Sequence, residues 1–434
     1  MQRFPLQRAF WSVSLGHLTV DTFSGMGPVL LAFLSAHVLS LSNTQIGFAV
    51  SAAQLTSALS QPLFGWSCDR NGGRLLAAGG VAWMVFFLLL AMLLAQVTGS
   101  FAVMLLPYVI AFAGSAAFHP VGAMYAAESS RARAASNTSI FFLMGQLGLA
   151  IGPALAGVLL DQLASHNNDL FTRALGPVFA GALTERGTIA PVLALGVMAI
   201  PAVLFMALSI PDVRAHLSAR AHAAASAGAA AARRTSLPMS SIVLLAVVVA
   251  LRGVVNPGSA AFIPRLFQVK GWDATAYGFV TSAFWLGGGI AGVLVARLAD
   301  KRDSRLLVAL TLIATAPAMF LLVTLNGTAA FIMALAAGAL SGASHSLIVV
   351  QAQALMPGRK GLASGAILGY MFSAGAVGSF LIGSLSDRFG LPSAFYVVAA
   401  VSVLAGVLGL FLPADRHQRV AAPAPDVEAV AAGD

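Results

Sequence analysis

The sequence predicts an all-α integral membrane fold, with twelve transmembrane helices in two pseudo-symmetric six-helix bundles. Three observations carry that prediction. The 434 residues are 59% hydrophobic and only 9% charged, with a mean hydropathy of +0.88, where a soluble chain carries about a quarter charged residues. Apolar runs near the ~20-residue spanning length recur along the whole chain. Positive charge is distributed by side: with the N-terminus inside, eighteen of the 24 basic residues fall in cytoplasmic segments. Arg173, Arg186, Arg265, Lys270 and Arg388 fall outside, and Arg252 lies within a span. That bias is the positive-inside signature, so the net charge of +9 reads as topology and not as a nucleic-acid footprint.

Polar or Pro/Gly-rich breaks divide the chain in order. Spans one to six run over 9–37, 43–68, 75–97, 100–128, 135–162 and 188–210, making a first bundle of residues 1–210. Arg3 and Arg8 lead straight into span one with no small-residue cleavage site, so no cleavable leader is expected. A polar stretch, 164–187, separates spans five and six on the outside. Residues 211–238, with the low-complexity run ARAHAAASAGAAAARRTS, read as a cytoplasmic linker. Spans seven to twelve run over 239–268, 273–299, 305–325, 328–356, 361–386 and 391–412, a second bundle of 239–412. The remainder, 413–434, reads as a disordered cytoplasmic tail. The single cysteine, Cys68, excludes an intrachain disulfide and a cysteine-based metal cluster. No cofactor or metal is expected.

The two bundles echo each other. Asp69 ends span two and Asp300 ends span eight, an offset of 231. His119 in GSAAFHP and His345 in SGASHS differ by 226. Such internal symmetry marks a large class of transporters that rock about a midplane site. The offset of 231 carries Asp21 onto Arg252, so the halves place opposite charges at equivalent depths.

Span one opens on GHLTVDTFSGMGP, with His17 one helical turn before Asp21. Asp21 lies roughly 18 Å into the span, near the midplane of a core about 30 Å thick. A carboxylate there needs a partner, water or a proton. A site dry in one state and wet or paired in another loads and releases a proton. Asp21 therefore reads as a coupling carboxylate tuned by His17, or as a static ion-pair partner of Arg252. His119 precedes Pro120, which should kink span four and expose backbone near the cavity; it reads as a proton relay or as a core hydrogen bonder. Arg252, followed by Asn256 and Pro257, needs a carboxylate, carbonyls or an anionic ligand at its depth. Asn256, Gln54 and His345 are the further candidates for substrate contact. Glu128, Asp161 and Asp387 with Arg388 sit at span ends and read as interface anchors or gate contacts.

Two motifs bear on movement. GWSCDRNGGR, residues 65–74, supplies Gly65, Asp69, Arg70, Gly72 and Arg74 as a turn and charged latch between spans two and three. A second copy, ARLADKRDSR, keeps Asp300, Lys301 and Arg305 but has Ala296 and Asp303 at usual glycine positions. GLAIGPALAG in span five places Gly148, Gly152, Pro153 and Gly157 for close helix packing.

The first of these motifs resembles the signature of the major facilitator superfamily, with Gly73 where a basic residue is usual. Together with GHLTVD, TQIGFAVSAAQLTSALSQPLFGW and AFHP, it is similar to the fosmidomycin-resistance branch of that superfamily. The span-five motif looks like the Gly-Pro motif of its antiporters. The resemblance implies a monomeric bacterial inner-membrane exporter, both termini cytoplasmic, that exchanges a small drug or anionic metabolite for protons. The chain departs from the branch at Val121, where an acidic residue commonly follows the His-Pro pair, and span four lacks the arginine of many drug–proton antiporters. Proton-coupled uptake of a small organic anion is the alternative on the same fold. A non-transporting sensor or membrane enzyme is disfavoured: no HExxH, glycine-rich nucleotide loop or dense His/Asp cluster is legible.

Overall fold

The computed structural model describes residues 3–129, 134–163, 190–210, 239–299, 301–345, 347–348 and 360–413. The linker at 211–238, the whole polar stretch 164–187, Asp300 and the tail beyond 413 lie outside the described residues.

The first half holds α1 (Arg3–His37), α2 (Asn43–Asn71), α3 (Arg74–Thr98), α4 (Phe101–Glu128), α5 (Ala134–Val158, continued by a π turn Leu159–Leu163) and α6 (Ala190–Ser209). The second holds α7 (Met239–Gly253, continued by a π turn Val254–Gly258), a short α8 (Ile263–Val269), α9 (Ala274–Ala299), α10 (Ser304–Thr324), α11 (Gly327–Gly342), α12 (Lys360–Phe389) and α13 (Leu391–Gly409). Among the described residues there is no strand. Eight helices are long and apolar enough to cross a membrane; α11 and the Leu195–Ser209 part of α6 are apolar but shorter. With α2 and α12 they make the twelve crossings of the two bundles.

The helix ends follow from local chemistry. Ser42 closes a capping box on α2, its Oγ accepting from the Gln45 amide while Gln45 Oε1 accepts from the Ser42 amide at 3.0 Å. Gly72 stops α2 at φ 86°, a conformation open to glycine and strained for other residues. Asp303 caps α10. This explains why the second copy of the latch motif tolerates a carboxylate where a glycine is usual: it holds a helix start and pairs with Arg305 at 3.3 Å.

One expected span is interrupted. Residues 239–268 form α7, a π turn and α8, with a non-helical break before Ile263. Pro257 has no N–H to donate into the ladder, so the helix widens around it and then turns.

Within the first half α1 packs on α5 and α3 on α4; within the second α9 packs on α11 and α10 on α13. The halves meet along two seams, α2 with α12 and α5 with α9. Glycine makes the close approaches: Gly148 and Gly152 of α5 lie against the Leu18 and Thr22 carbonyls of α1, with no room for a methyl group. Large apolar side chains such as Trp83, Phe86, Leu106, Leu294 and Leu310 are exposed on the outer helix faces. Such a surface suits hydrocarbon, and the helices satisfy their own backbone groups as lipid requires.

Candidate functional site

The first-half site begins with helical spacing. His17 and Asp21 stand four residues apart on α1, so they share a face, and that face looks at α4 and α5. His17 Nε2 is 3.2 Å from Asp21 Oδ2. From α4, His119 Nε2 comes within 3.4 Å of Asp21 Oδ1. The three ligand atoms lie within 4.8 Å of one another. Gly145 of α5 makes the room: a Cβ there would stand 2.7 Å from Asp21 Oδ2 and closer still to the His17 ring.

Each imidazole is held from behind by backbone. His17 Nδ1 is 2.7 Å from the Phe141 carbonyl, and its ring stacks on the Phe141 ring with centroids 4.0 Å apart. His119 Nδ1 is 2.8 Å from the Ser115 carbonyl. A carbonyl oxygen only accepts, so in both rings Nδ1 is the donor and Nε2 faces the carboxylate. A neutral ring in that tautomer presents a lone pair to a carboxylate, which repels it; a proton on Nε2 turns the contact into a charge-assisted hydrogen bond. The geometry thus has two places for an exchangeable proton, one at each carboxylate oxygen. His17 and Asp21 are buried, whereas the His119 side chain keeps 21% of its surface, so it is the member nearest to solvent.

In the second half, Arg252 is the largest fully buried side chain, 2% exposed. Its Nε donates to Ser344 Oγ at 2.9 Å, and Asn256 Nδ2 donates to Ser341 Oγ at 2.8 Å. Among the described residues no carboxylate lies within ion-pair distance of Arg252, and Asp21 pairs with the two histidines instead. The equal-depth pairing of Asp21 with Arg252 is therefore not formed in this structure. His345 lies within electrostatic reach of Arg252. Gln54 of α2 reaches this region across the interface between the halves: a Cβ on Gly375 of α12 would stand 2.7 Å from Pro257 Cγ and 3.2 Å from Gln54 Oε1. That Oε1 is buried and accepts no hydrogen bond among the described residues.

The remaining expected residues occupy three places. Gly65 and the Asp69–Arg70 backbone belong to the last turns of α2, with the side chains of Asp69 and Arg70 outside the described residues. Gly72 and Arg74 bracket the turn into α3. Gly73 between them has no room for a side chain, since a Cβ would meet Val121 Cγ1 at 2.5 Å and the Tyr125 ring at 2.7 Å. The two departures from the family motifs, Gly73 and Val121, are thus in mutual contact. Lys301 is exposed, Arg305 is held by Asp303, and Asp300 is not described. Gly148 and Gly152 serve α1, as does the Pro153 ring against Gly25, whereas the Pro153 carbonyl and Gly157 face α9, and the Ala154 amide donates to Ser282 Oγ at 2.9 Å.

Sequence reasoning did not single out Ser341, Ser344, Gly145, Phe141 or Gly375. The two serines stood inside the quoted stretch SGASHS, whose small residues leave room for a long neighbour such as Arg252. Phe141 acts through its carbonyl and carries no side-chain signal for that role.

The sequence pattern of the Major Facilitator Superfamily matches residues 13–166, 170–379 and 242–431. The fosmidomycin resistance protein of Escherichia coli (strain K12) is 24% identical over 417 residues, covering 94% of this chain and 93% of that one. An uncharacterised MFS-type transporter of Bacillus subtilis (strain 168) is 26% identical over 415 residues, again 94% and 93%. Among solved structures, a bacterial homologue of the human lysosomal transporter Spinster, inward-facing and occupied, aligns with a TM-score of 0.71 at 17% identity, covering 96% of this chain and 98% of that one. A D-xylose–proton symporter aligns at 0.70 with 16% identity over 93% and 97%. These two likenesses concern the fold.

Proposed function

The chain belongs to the Major Facilitator Superfamily, and from that premise we propose that it is a proton-driven antiporter exporting a small anionic compound from a bacterial cell. Protons bind at Asp21, His17 and His119. The anion binds at Arg252, with Asn256, Gln54 and His345 as its polar surroundings. The positive-inside bias supports an inner-membrane orientation with both termini cytoplasmic.

The observation that carries this reading is the separation of the two charges. Asp21 is surrounded by groups that bind protons, while the buried guanidinium of Arg252 has no described carboxylate beside it. A guanidinium keeps its charge at any working pH, so a buried one is a standing site for an anion. The two sites carry opposite preferences for charge, and exchange rests on how each conformation exposes them. Protons on the first-half cluster make it more positive, and their departure makes it more negative. An anion on Arg252 and a deprotonated cluster are both negative and repel, so charge alone favours holding anion and protons together. Exchange requires that the two ligands be bound best by opposite conformations, each driving the change that releases the other. Coupling of this kind needs a differential affinity between the two conformations. The similarity to a fosmidomycin resistance protein supports export and makes a phosphonate a reasonable first probe.

Flux of fosmidomycin into inside-out vesicles with an acidic lumen tests the reading. Accumulation that rises with the pH gradient and vanishes with a protonophore is the expected result. Entry only when protons flow inward with the solute identifies uptake in its place, and flux indifferent to pH removes proton coupling.

A further inference from the structure

The end of the bundle opposite the Asp69 turn carries two carboxylates that the exchange reaction does not use. Asp387, at the end of α12 in the second half, accepts from two amides of α2 in the first: Oδ1 from Asn43 at 2.9 Å and Oδ2 from Thr44 at 2.7 Å. Asp161, in the π turn after α5 in the first half, accepts from the Thr275 amide of α9 in the second. Each helix already has a cap of its own. Ser42 takes the Gln45 amide of α2, and Asp273 takes the Ala276 amide of α9 at 2.7 Å. The foreign carboxylates take amides those caps leave over: Asp387 those of the first two positions of α2, Asp161 that of the second position of α9.

The two arrangements repeat by the offsets that relate the halves. Ser42 and Asp273, Thr44 and Thr275, Gly47 and Gly278, and Ser51 and Ser282 are each 231 apart. Gly157 and Gly383, and Asp161 and Asp387, are each 226 apart. The packing beneath repeats as well. Gly47 lies against the Ser379 carbonyl of α12 and Gly278 against the Pro153 carbonyl of α5, leaving 2.6 and 2.5 Å for a Cβ. Gly383 lies against Asn43 and Gly157 against Ala274, closer still. A chance surface contact would not recur with its cap, its glycines and its carboxylate in register.

We propose that Asp161 and Asp387 are a pair of clasps that hold the outer end of the transporter shut, each carboxylate of one half gripping the N-terminus of a helix of the other. Charge makes the grip directional: an ionised carboxylate against free amides at a helix start forms a charge-assisted bond. Rocking the halves apart at this end must withdraw both carboxylates together and leave three helix-start amides, those of Asn43, Thr44 and Thr275, to water or lipid headgroups. Arg265 of α8 steadies the α2 clasp, its Nε donating to Asn43 Oδ1 at 3.1 Å. The clasps concern closure alone and do not depend on which solute or ion the protein carries.

The test uses the full-length protein with Cys68→Ala and spin labels at Ala36→Cys and Thr328→Cys, exposed positions on the two halves at this end. Electron–electron double resonance reads the distance between them. Asp161→Asn with Asp387→Asn should add a longer-distance population, raising the open-to-closed ratio about tenfold, with each single change doing less. An unchanged distance distribution in a double variant that elutes and melts as the parent does would overturn the proposal. Thr275→Pro offers a second route should the double variant misfold: proline is tolerated in the first helical turn and removes the amide that Asp161 grips, with Thr275→Val as the control for the long hydroxyl contact to the Gly157 carbonyl at 3.5 Å. Thr275→Pro and Asp161→Asn should each open the outer end and, combined, do no more than either alone. Effects that simply add would mean that the carboxylate and the amide act separately, and the clasp would be refuted.

Discussion

Gly145 decides whether the His17–Asp21–His119 cluster can exist, because any side chain there would occupy the space of the His17 ring and the Asp21 carboxylate. Gly145→Ala should displace the imidazole and abolish pH-driven flux, while costing about 1–3 kcal/mol of stability as an overpacked site; flux and melting read together check it. Wild-type flux with intact melting would show that the His17–Asp21 contact is dispensable. In the second half, Arg252→Ala should weaken binding of an anionic ligand at least tenfold and leave a neutral ligand nearly unaffected, a difference of about 1.4 kcal/mol or more in calorimetry. Equal losses for both ligands would make Arg252 a scaffold residue. At this scale the sequence was half legible. A helical turn between His17 and Asp21 is read directly from spacing four, whereas the approach of His119 to Asp21 joins residues 98 positions apart and depends on how α4 crosses α1. The backbone carbonyls of Phe141 and Ser115, which fix the tautomers, are invisible to any reading of side-chain types.

Helices position these residues through small, specific irregularities. The π turn at Val254–Gly258 aims Asn256 at Ser341, and Pro257 causes it by leaving the ladder one donor short. Pro257→Ala restores that donor and should let the helix tighten, carrying Asn256 off Ser341. Ligand affinity should fall about tenfold while the melting temperature holds or rises, since removing a helix-interior proline relieves a cost of about 3 kcal/mol. Retained affinity would show that the irregular turn does not serve binding. Most elements were legible from apolar runs and their breaks, because lipid forces each crossing to be a helix of near-constant length. The interruption before α8 was not, although Pro257, Gly258 and Pro264 are its causes, because proline within a span is common here: α1, α2, α5 and α10 carry one, α4 carries two, and all remain continuous.

At the scale of the whole molecule, duplication organises the chain. The offsets of 231 between Asp69 and Asp300 and of 226 between His119 and His345 recur in the two seams that join the halves. Asp161 and Asp387, expected only as anchors or gate contacts, sit in equivalent positions on those seams. The chemistry of the cavity breaks the same symmetry: the first half offers a carboxylate between histidines and the second offers a guanidinium. Seams that repeat between the halves suit a rocking motion, and under the proposed exchange the unlike charges would give it a direction. The central claim is that Asp21 carries the coupling proton, and Asp21→Asn tests it most directly in proteoliposomes loaded with a transported anion such as fosmidomycin. The account predicts that anion exchange in the absence of a gradient persists while accumulation driven by a pH gradient is lost. Full gradient-driven accumulation by the Asp21→Asn protein would contradict it.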